Sequence, residues 1–236
     1  MDSSSLQGRW TRASLWAAVF GIALYLALDA LAQLLPPHYS PISQAESDLA
    51  VGPYGYIMAI NFLNRGALSF LFLWGLSRSA SPRPGQRLGY SLVGLWAAGS
   101  MILAAFPTDV GGSPTIHGEI HLVVALLAFV GGAIGELVLS TALRSHPKLW
   151  KTAKFTTALS VLALILLAAL FFGPAIAPKA AGEVGGLVER IFIGLVLTWM
   201  LVSSLTLLRG SNALSSQASK PAGVRAHPLR WGRKRL

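Results

Sequence analysis

The stretch IHGEIHLVVALLAFVGGAIGELVLSTALR, residues 116–144, decides the architecture of this chain. No charged residue and no proline falls between His121 and Glu136. As a helix rising 1.5 Å per residue the run reaches roughly 43 Å, more than the ~30 Å of a bilayer's hydrocarbon core. In hydrocarbon only helices and closed barrels satisfy every backbone group, and a barrel strand would show ~10-residue segments of alternating polarity. The run is therefore read as a membrane-crossing helix.

Five more apolar runs of similar length surround it, at 14–35, 53–77, 88–106, 153–173 and 187–208. Fifty-three per cent of the residues are hydrophobic and 12% are charged. With a mean hydropathy of +0.59, the chain is expected to be an all-α polytopic membrane protein, a bundle of six transmembrane helices. A cytoplasmic segment 1–13 precedes the bundle at 14–208. The Ser-, Pro- and Arg/Lys-rich stretch 209–236 reads as a disordered cytoplasmic tail attracted to anionic headgroups. Arg9 and Arg12 before the first run suggest a signal peptide, but its length and the five later spans make it an uncleaved helix. The chain has no cysteine, which removes disulfides, thiolate metal sites and cysteine nucleophiles.

The net charge of +10 invites a nucleic-acid reading, and its distribution excludes one. Sixteen of the 19 Lys and Arg residues fall on one side of the six-span topology. They are Arg9 and Arg12, then Arg78, Arg83 and Arg87, then Arg144, Lys148, Lys151 and Lys154, and seven from Arg209 onward. Positive charge stays cytoplasmic. Both termini are thus expected inside the cell (inner or plasma) membrane, with loops 36–52, 107–115 and 174–185 outside.

Seven of the nine acidic residues belong to outer loops or outer half-spans: Asp29, Glu46, Asp48, Asp109, Glu119, Glu183 and Glu189. His38, His117 and His121 accompany them, and Arg65 and Arg190 stand within spans. These residues predict a polar cavity opening outward. His117 and His121 are four apart and share one helix face. Asp109 is on a Pro/Gly loop that can fold back over the start of that helix. Asp109, His117 and His121 are expected to converge, with Ser47 or Glu189 closing the group. Three such groups can hold Zn²⁺ with a fourth position open, or form a hydrogen-bonded cluster. Arg65, roughly 18 Å into its span, requires water or an acid. Asp29 is the first choice of partner, with Asp109 or Glu189 as alternatives. Asn61 lies on the Arg65 stripe. Ser43 is read as the N-cap of a short amphipathic turn with Glu46 three residues on, and Glu136 as a boundary acid.

The sets Ser40 to Leu49 (SPISQAESDL), Gly52-Pro53, Asn61, Phe106 to Asp109 (FPTD), His117 and Gly186 to Ile191 (GLVERI) resemble a large prokaryotic family of six-helix membrane proteins known only as a domain of unknown function. That resemblance covers about residues 14–208 and implies topology without a reaction. A more distant similarity is to the ceramidase and adiponectin-receptor type of intramembrane hydrolases, which place Ser, Asp and three His around zinc. It implies comparable parts for Ser47, Asp109, His117 and His121, with His38 or Glu189 as the missing ligand. This chain has six helices rather than seven, carries the His pair on its fourth helix, and has no histidine on its sixth.

Three functions fit these residues. One is a lipid- or amide-directed hydrolase using zinc held by Asp109, His117 and His121. Another is a transporter or lipid-binding protein whose anionic small-molecule or lipid ligand meets Arg65, Asn61, Arg190, Glu189 and Asp29. The third is a non-catalytic membrane protein in which the same residues pair with one another. The lipid bilayer is the expected partner, and nucleic acid is not.

Overall fold

The computed structural model describes residues 3–35, 37–79, 84–145 and 149–218. Six long helices form among the described residues: α1 Ser3–Gln33, α2 Gly55–Ser79, α3 Pro84–Leu103, α4 Ile116–Ala142, α5 Trp150–Ile176 and α6 Pro178–Ala218. A short 3-10 turn, Glu46–Ala50, precedes α2. No strand occurs among the described residues, and the expected all-α architecture holds. Five helices, all but α3, are long and apolar enough to cross a membrane. The 20 residues of α3, about 30 Å of helix, pack between α2 and α4.

Two helix ends differ from the hydropathy pattern. α6 begins at Pro178 rather than near 187, so the expected loop 174–185 shrinks to a break at Ala177 between α5 and α6. Residues 178–186 are Ala- and Gly-rich rather than apolar, which hides them from hydropathy. Proline at the first helical position and alanine after it nevertheless favour a helix start. At its other end α6 continues to Ala218, past the expected tail boundary; residues 219–236 lie outside the described residues.

Association of helices in lipid gains little from burying apolar side chains and rests on close packing. Gly131 and Gly135 of α4 provide it against α3. A Cβ at Gly131 would sit 2.8 Å from the Leu92 carbonyl oxygen, and one at Gly135 2.9 Å from the Val93 nitrogen. The bundle centre is aromatic: Phe129 and Phe192 lie 5.0 Å apart between ring centroids, Phe72 and Trp199 5.1 Å. α5 buries a narrow stripe of Ala153, Thr156, Ser160, Ala163 and Leu167, packs Leu159, Leu164, Leu166 and Leu170 partly against the core, and leaves much of its remaining surface exposed, as suits a lipid-facing helix. Glu136 departs from its expected role as a boundary acid. It is fully buried, because α4 is still enclosed by its neighbours there. One turn on, Ser140 accepts a hydrogen bond from the Trp199 indole at 2.6 Å.

Alternation of the helices gathers the ends of α1, α3 and α5 and the starts of α2, α4 and α6 at one end of the bundle. The 37–54 and 104–115 segments close that end.

Candidate functional site

The site is built around a loop acid that folds inward. The turn starting at Glu46 has Ala45 at its N-cap and no side-chain cap. The expected Ser43 capping box is therefore not formed, and Glu46 points into the bundle with 2% exposure. One carboxylate oxygen accepts from the Tyr25 hydroxyl of α1. The other lies 3.6 Å from Nη1 of Arg65. The Glu46 backbone N–H donates to Oε2 of Glu189 on α6 at 3.0 Å. Burial pushes the Glu46 carboxyl up to about 7, with the Arg65 guanidinium opposing that rise.

Arg65 is 1% exposed. Its Nε donates to Ser100 Oγ of α3 at 3.0 Å, and its guanidinium carbon lies 4.8 Å from the Trp96 ring centroid and 5.0 Å from that of Phe62. These contacts position the arginine without drawing it to either surface. The expected Arg65–Asp29 pair is not found. Asp29 stands 3.8 Å from Nη2 of Arg190 instead, and accepts from Gln33 at 2.6 Å. The reason is geometric: Asp29 sits one helical turn beyond Tyr25, level with Arg190, and the turn at 46–50 reaches Arg65 first. Asn61 also has a different partner. Its amide donates to the Tyr25 carbonyl at 3.1 Å, tying α2 to α1.

Arg190 holds the loop. Its Nη1 donates to the carbonyls of Gln44 at 3.2 Å and Pro41 at 3.3 Å, and its Nη2 to the Tyr39 hydroxyl. Burial pushes the Tyr39 phenol up, and its oxygen lies 2.6 Å from the Ala45 carbonyl. Gly186 is required where the loop crosses α6, because a Cβ there would land on the Gln44 carbonyl. The GLVERI segment thus grips the loop that delivers Glu46.

Asp109, His117 and His121 differ in exposure and in the partners they engage. Asp109 is exposed and accepts from the Thr115 N–H and hydroxyl, both at 2.8 Å. Those hydrogen bonds hold its carboxyl below the usual range. Thr115 in turn caps α4 by accepting from the Gly118 N–H at 3.1 Å. His117 is exposed and meets Phe106 edge-on at 5.6 Å between centroids. His121 is 4% exposed, with Nδ1 2.6 Å from the Phe106 carbonyl. A carbonyl only accepts, so Nδ1 carries a proton. No group of three or more His, Cys, Asp or Glu residues arranged to hold a metal occurs among the described residues. The expected convergence on zinc is accordingly not found there; the loop acid is engaged with the helix cap and the two imidazoles differ in depth.

A cavity of about 380 Å³ connects these parts. Its polar lining comes from Ser47, Asp48, Arg65, Thr108, His121 and Glu189, and its apolar wall from α4 and α5. Leu122, Leu126 and Phe171 belong both to that wall and to the exposed surface, which places the mouth between α4 and α5. Of the residues singled out from sequence, Ser47, Arg65, His121 and Glu189 share the cavity. Asp109, His117, Asn61, Asp29 and Arg190 do not line it. Glu46, named from sequence only among the outer acids, completes the site with Tyr25, Tyr39 and Ser100, which were not singled out.

Fold and site together define an integral membrane protein, a helical bundle with a charged cluster beneath a loop at one end. The chain belongs to the family described as Protein of unknown function (DUF998), whose model matches residues 8–206. No curated protein and no solved structure matches it.

Proposed function

We propose that the chain is a lipid-binding or lipid-transporting protein of the cell (inner or plasma) membrane, with both termini cytoplasmic, that takes a single-chain amphiphile with an anionic head. The observation that carries this reading is the cavity: an apolar wall of α4 and α5 residues leads from an exposed mouth to Arg65. Its volume of about 380 Å³ lies in the range of small-molecule sites, which combine apolar walls with a few placed polar groups. The chain enters between α4 and α5, and the head meets Arg65.

An anionic head also meets carboxyls, since Asp48 and Glu189 line the cavity and Glu46 is paired with the arginine. Binding therefore favours the form in which Glu46 is protonated and Arg65 is released to the ligand. With a carboxyl at about 7, roughly nine-tenths of the molecules are in that form at pH 6 and about one-tenth at pH 8, so apparent affinity changes about tenfold.

The test is titration in nanodiscs with a lysophosphatidylglycerol, whose phosphodiester stays charged over this range. Lysophosphatidylcholine and a single-chain quaternary amine serve as comparisons. The anionic probe is expected to bind about tenfold more tightly at pH 6 than at pH 8, and Ala125→Trp, which fills the cavity, to abolish binding. Unchanged affinity in Ala125→Trp, or preference for the cationic probe, overturns the reading.

A further inference from the structure

At the end of the bundle away from that cavity, α1, α2 and α3 enclose an apolar groove of about 840 Å³. Trp10, Ala13 and Ala17 line it from α1, Trp74 and Ser77 from α2, and Tyr90 from α3. The Tyr90 hydroxyl is buried without a hydrogen-bond partner among the described residues. Toward the near end of the bundle, residue numbers fall along α1 and α3 and rise along α2. Each helix places an arginine one turn further in that direction. Arg9 is four residues before Ala13, Arg78 four after Trp74, and Arg87 three before Tyr90. Spacings of three and four keep each arginine on the face that lines the groove. All three are exposed. The Arg78 guanidinium carbon lies 5.6 Å from the Trp74 ring centroid. None of the three is within ion-pair distance of an acid among the described residues.

We propose that this groove is a binding site for an anionic phospholipid, with an acyl chain along the groove and the phosphate beneath Arg9, Arg78 and Arg87. Charge complementarity identifies the occupant. Three guanidinium groups with no acid in ion-pair distance among the described residues stand one turn beyond lining residues of a single apolar trough, and tryptophans at its rim suit the level of lipid headgroups. The placement is distinct from diffuse attraction of a basic surface, because each arginine stands one turn from a residue that lines the same trough, which is large enough for a chain. Phosphate is a preferred partner of the planar guanidinium fork, and the unpartnered Tyr90 hydroxyl offers a donor within the same wall.

The experiment is native mass spectrometry of the delipidated full chain, titrated with phosphatidylglycerol and phosphatidylcholine of identical acyl chains. Ala125→Trp serves as the background, so that occupancy of the other cavity does not contribute. The protein is expected to retain phosphatidylglycerol in preference to phosphatidylcholine. Each basic residue near a lipid surface contributes about a fivefold factor, so Arg9→Gln/Arg78→Gln/Arg87→Gln should lose the preference on the order of a hundredfold. The control Arg144→Gln/Lys151→Gln/Lys154→Gln removes equal charge from the α4–α5 side of the same end and should keep it. Ala13→Phe, at an exposed position of the trough, should weaken both lipids. Equal loss in the control, an unchanged preference in the arginine variant, or no preference in the background protein overturns the site.

Discussion

Glu46→Gln separates two opposed physical accounts of the buried pair. Breaking a desolvated ion pair ordinarily costs about 3–5 kcal/mol, because the surviving charge is left unpaired. The titration of Glu46 argues for the opposite sign. Its carboxyl stands at about 7 in the folded protein against an ordinary 4.5, even with Arg65 at 3.6 Å. Burial therefore outweighs the arginine. The folded protein binds more protons at this group than the unfolded chain does. Its contribution to stability is thus fully present below about pH 4.5 and is lost as pH rises through about 7. At 1.36 kcal/mol per pK unit, the loss approaches about 3 kcal/mol by pH 8. Glutamine imitates the protonated acid and keeps an acceptor for the Tyr25 hydroxyl. The variant should match wild type at pH 4.5 and exceed it by about 3 kcal/mol at pH 8. Unfolding of both proteins in mixed micelles with rising dodecyl sulfate, across pH 4.5 to 8.5, reads the difference. A variant 3 kcal/mol less stable than wild type at pH 8 would refute the reasoning and make the ion pair a net stabiliser.

Gly186→Ala should destabilise by about 1–3 kcal/mol, since its methyl meets the Gln44 backbone carbonyl, which has little room to move. Gly185→Ala next to it meets nothing within 4 Å and should stabilise α6 by about 0.5–1 kcal/mol; equal effects would show that the loop does not cross α6 at Gly186. Thr115→Ala removes the α4 cap and one anchor of Asp109, for a loss of about 1 kcal/mol, read by hydrogen exchange at the 116–119 amides; unchanged exchange would mean the cap is idle. Glu136→Gln keeps the buried volume and removes an ionisable group from a 0% exposed position, so stability should stay within about 1 kcal/mol of wild type. A loss of about 3 kcal/mol or more in the same micelle assay would show that the carboxylate charge itself is required.

Hydropathy made the helices legible because a bilayer imposes a long, uniform requirement on composition. The 116–144 run needs no partner to be recognised, and the structure returns it as α4 from Ile116 to Ala142. The pattern fails where helix formation does not depend on apolar character. Residues 178–186 are helical through proline at the first position and through alanine, so α6 starts nine residues before its apolar stretch. Glu136 fails for a related reason. Its distance along the chain from the basic cluster suggests a boundary, whereas burial depends on which neighbouring helices still flank α4 at that height.

The site was half legible. Arg65 announces itself, because a charge that deep in a span must have a partner, and Glu189 and His121 lie at the correct end. The partner itself comes from a loop. From sequence Glu46 is one of several outer acids, and three separate contacts single it out: Arg190 gripping the Pro41 and Gln44 carbonyls, Glu189 accepting from the Glu46 amide, and Gly186 allowing the crossing. Two of those three residues are adjacent on α6, and the third lies within the same turn. They bind backbone or yield to it, so their chemistry leaves no trace in the loop's own side chains. The signal that existed was an imbalance within the spans. Asp29 and Arg190 can neutralise each other near the surface, which leaves Glu189 as the helix acid nearest in level to Arg65, and Glu189 is engaged by the Glu46 amide. The acid that meets Arg65 is carried inward by a loop, and Glu46 is held there by its own carboxylate, which accepts from Tyr25 of α1, and by its amide, which donates to Glu189 of α6.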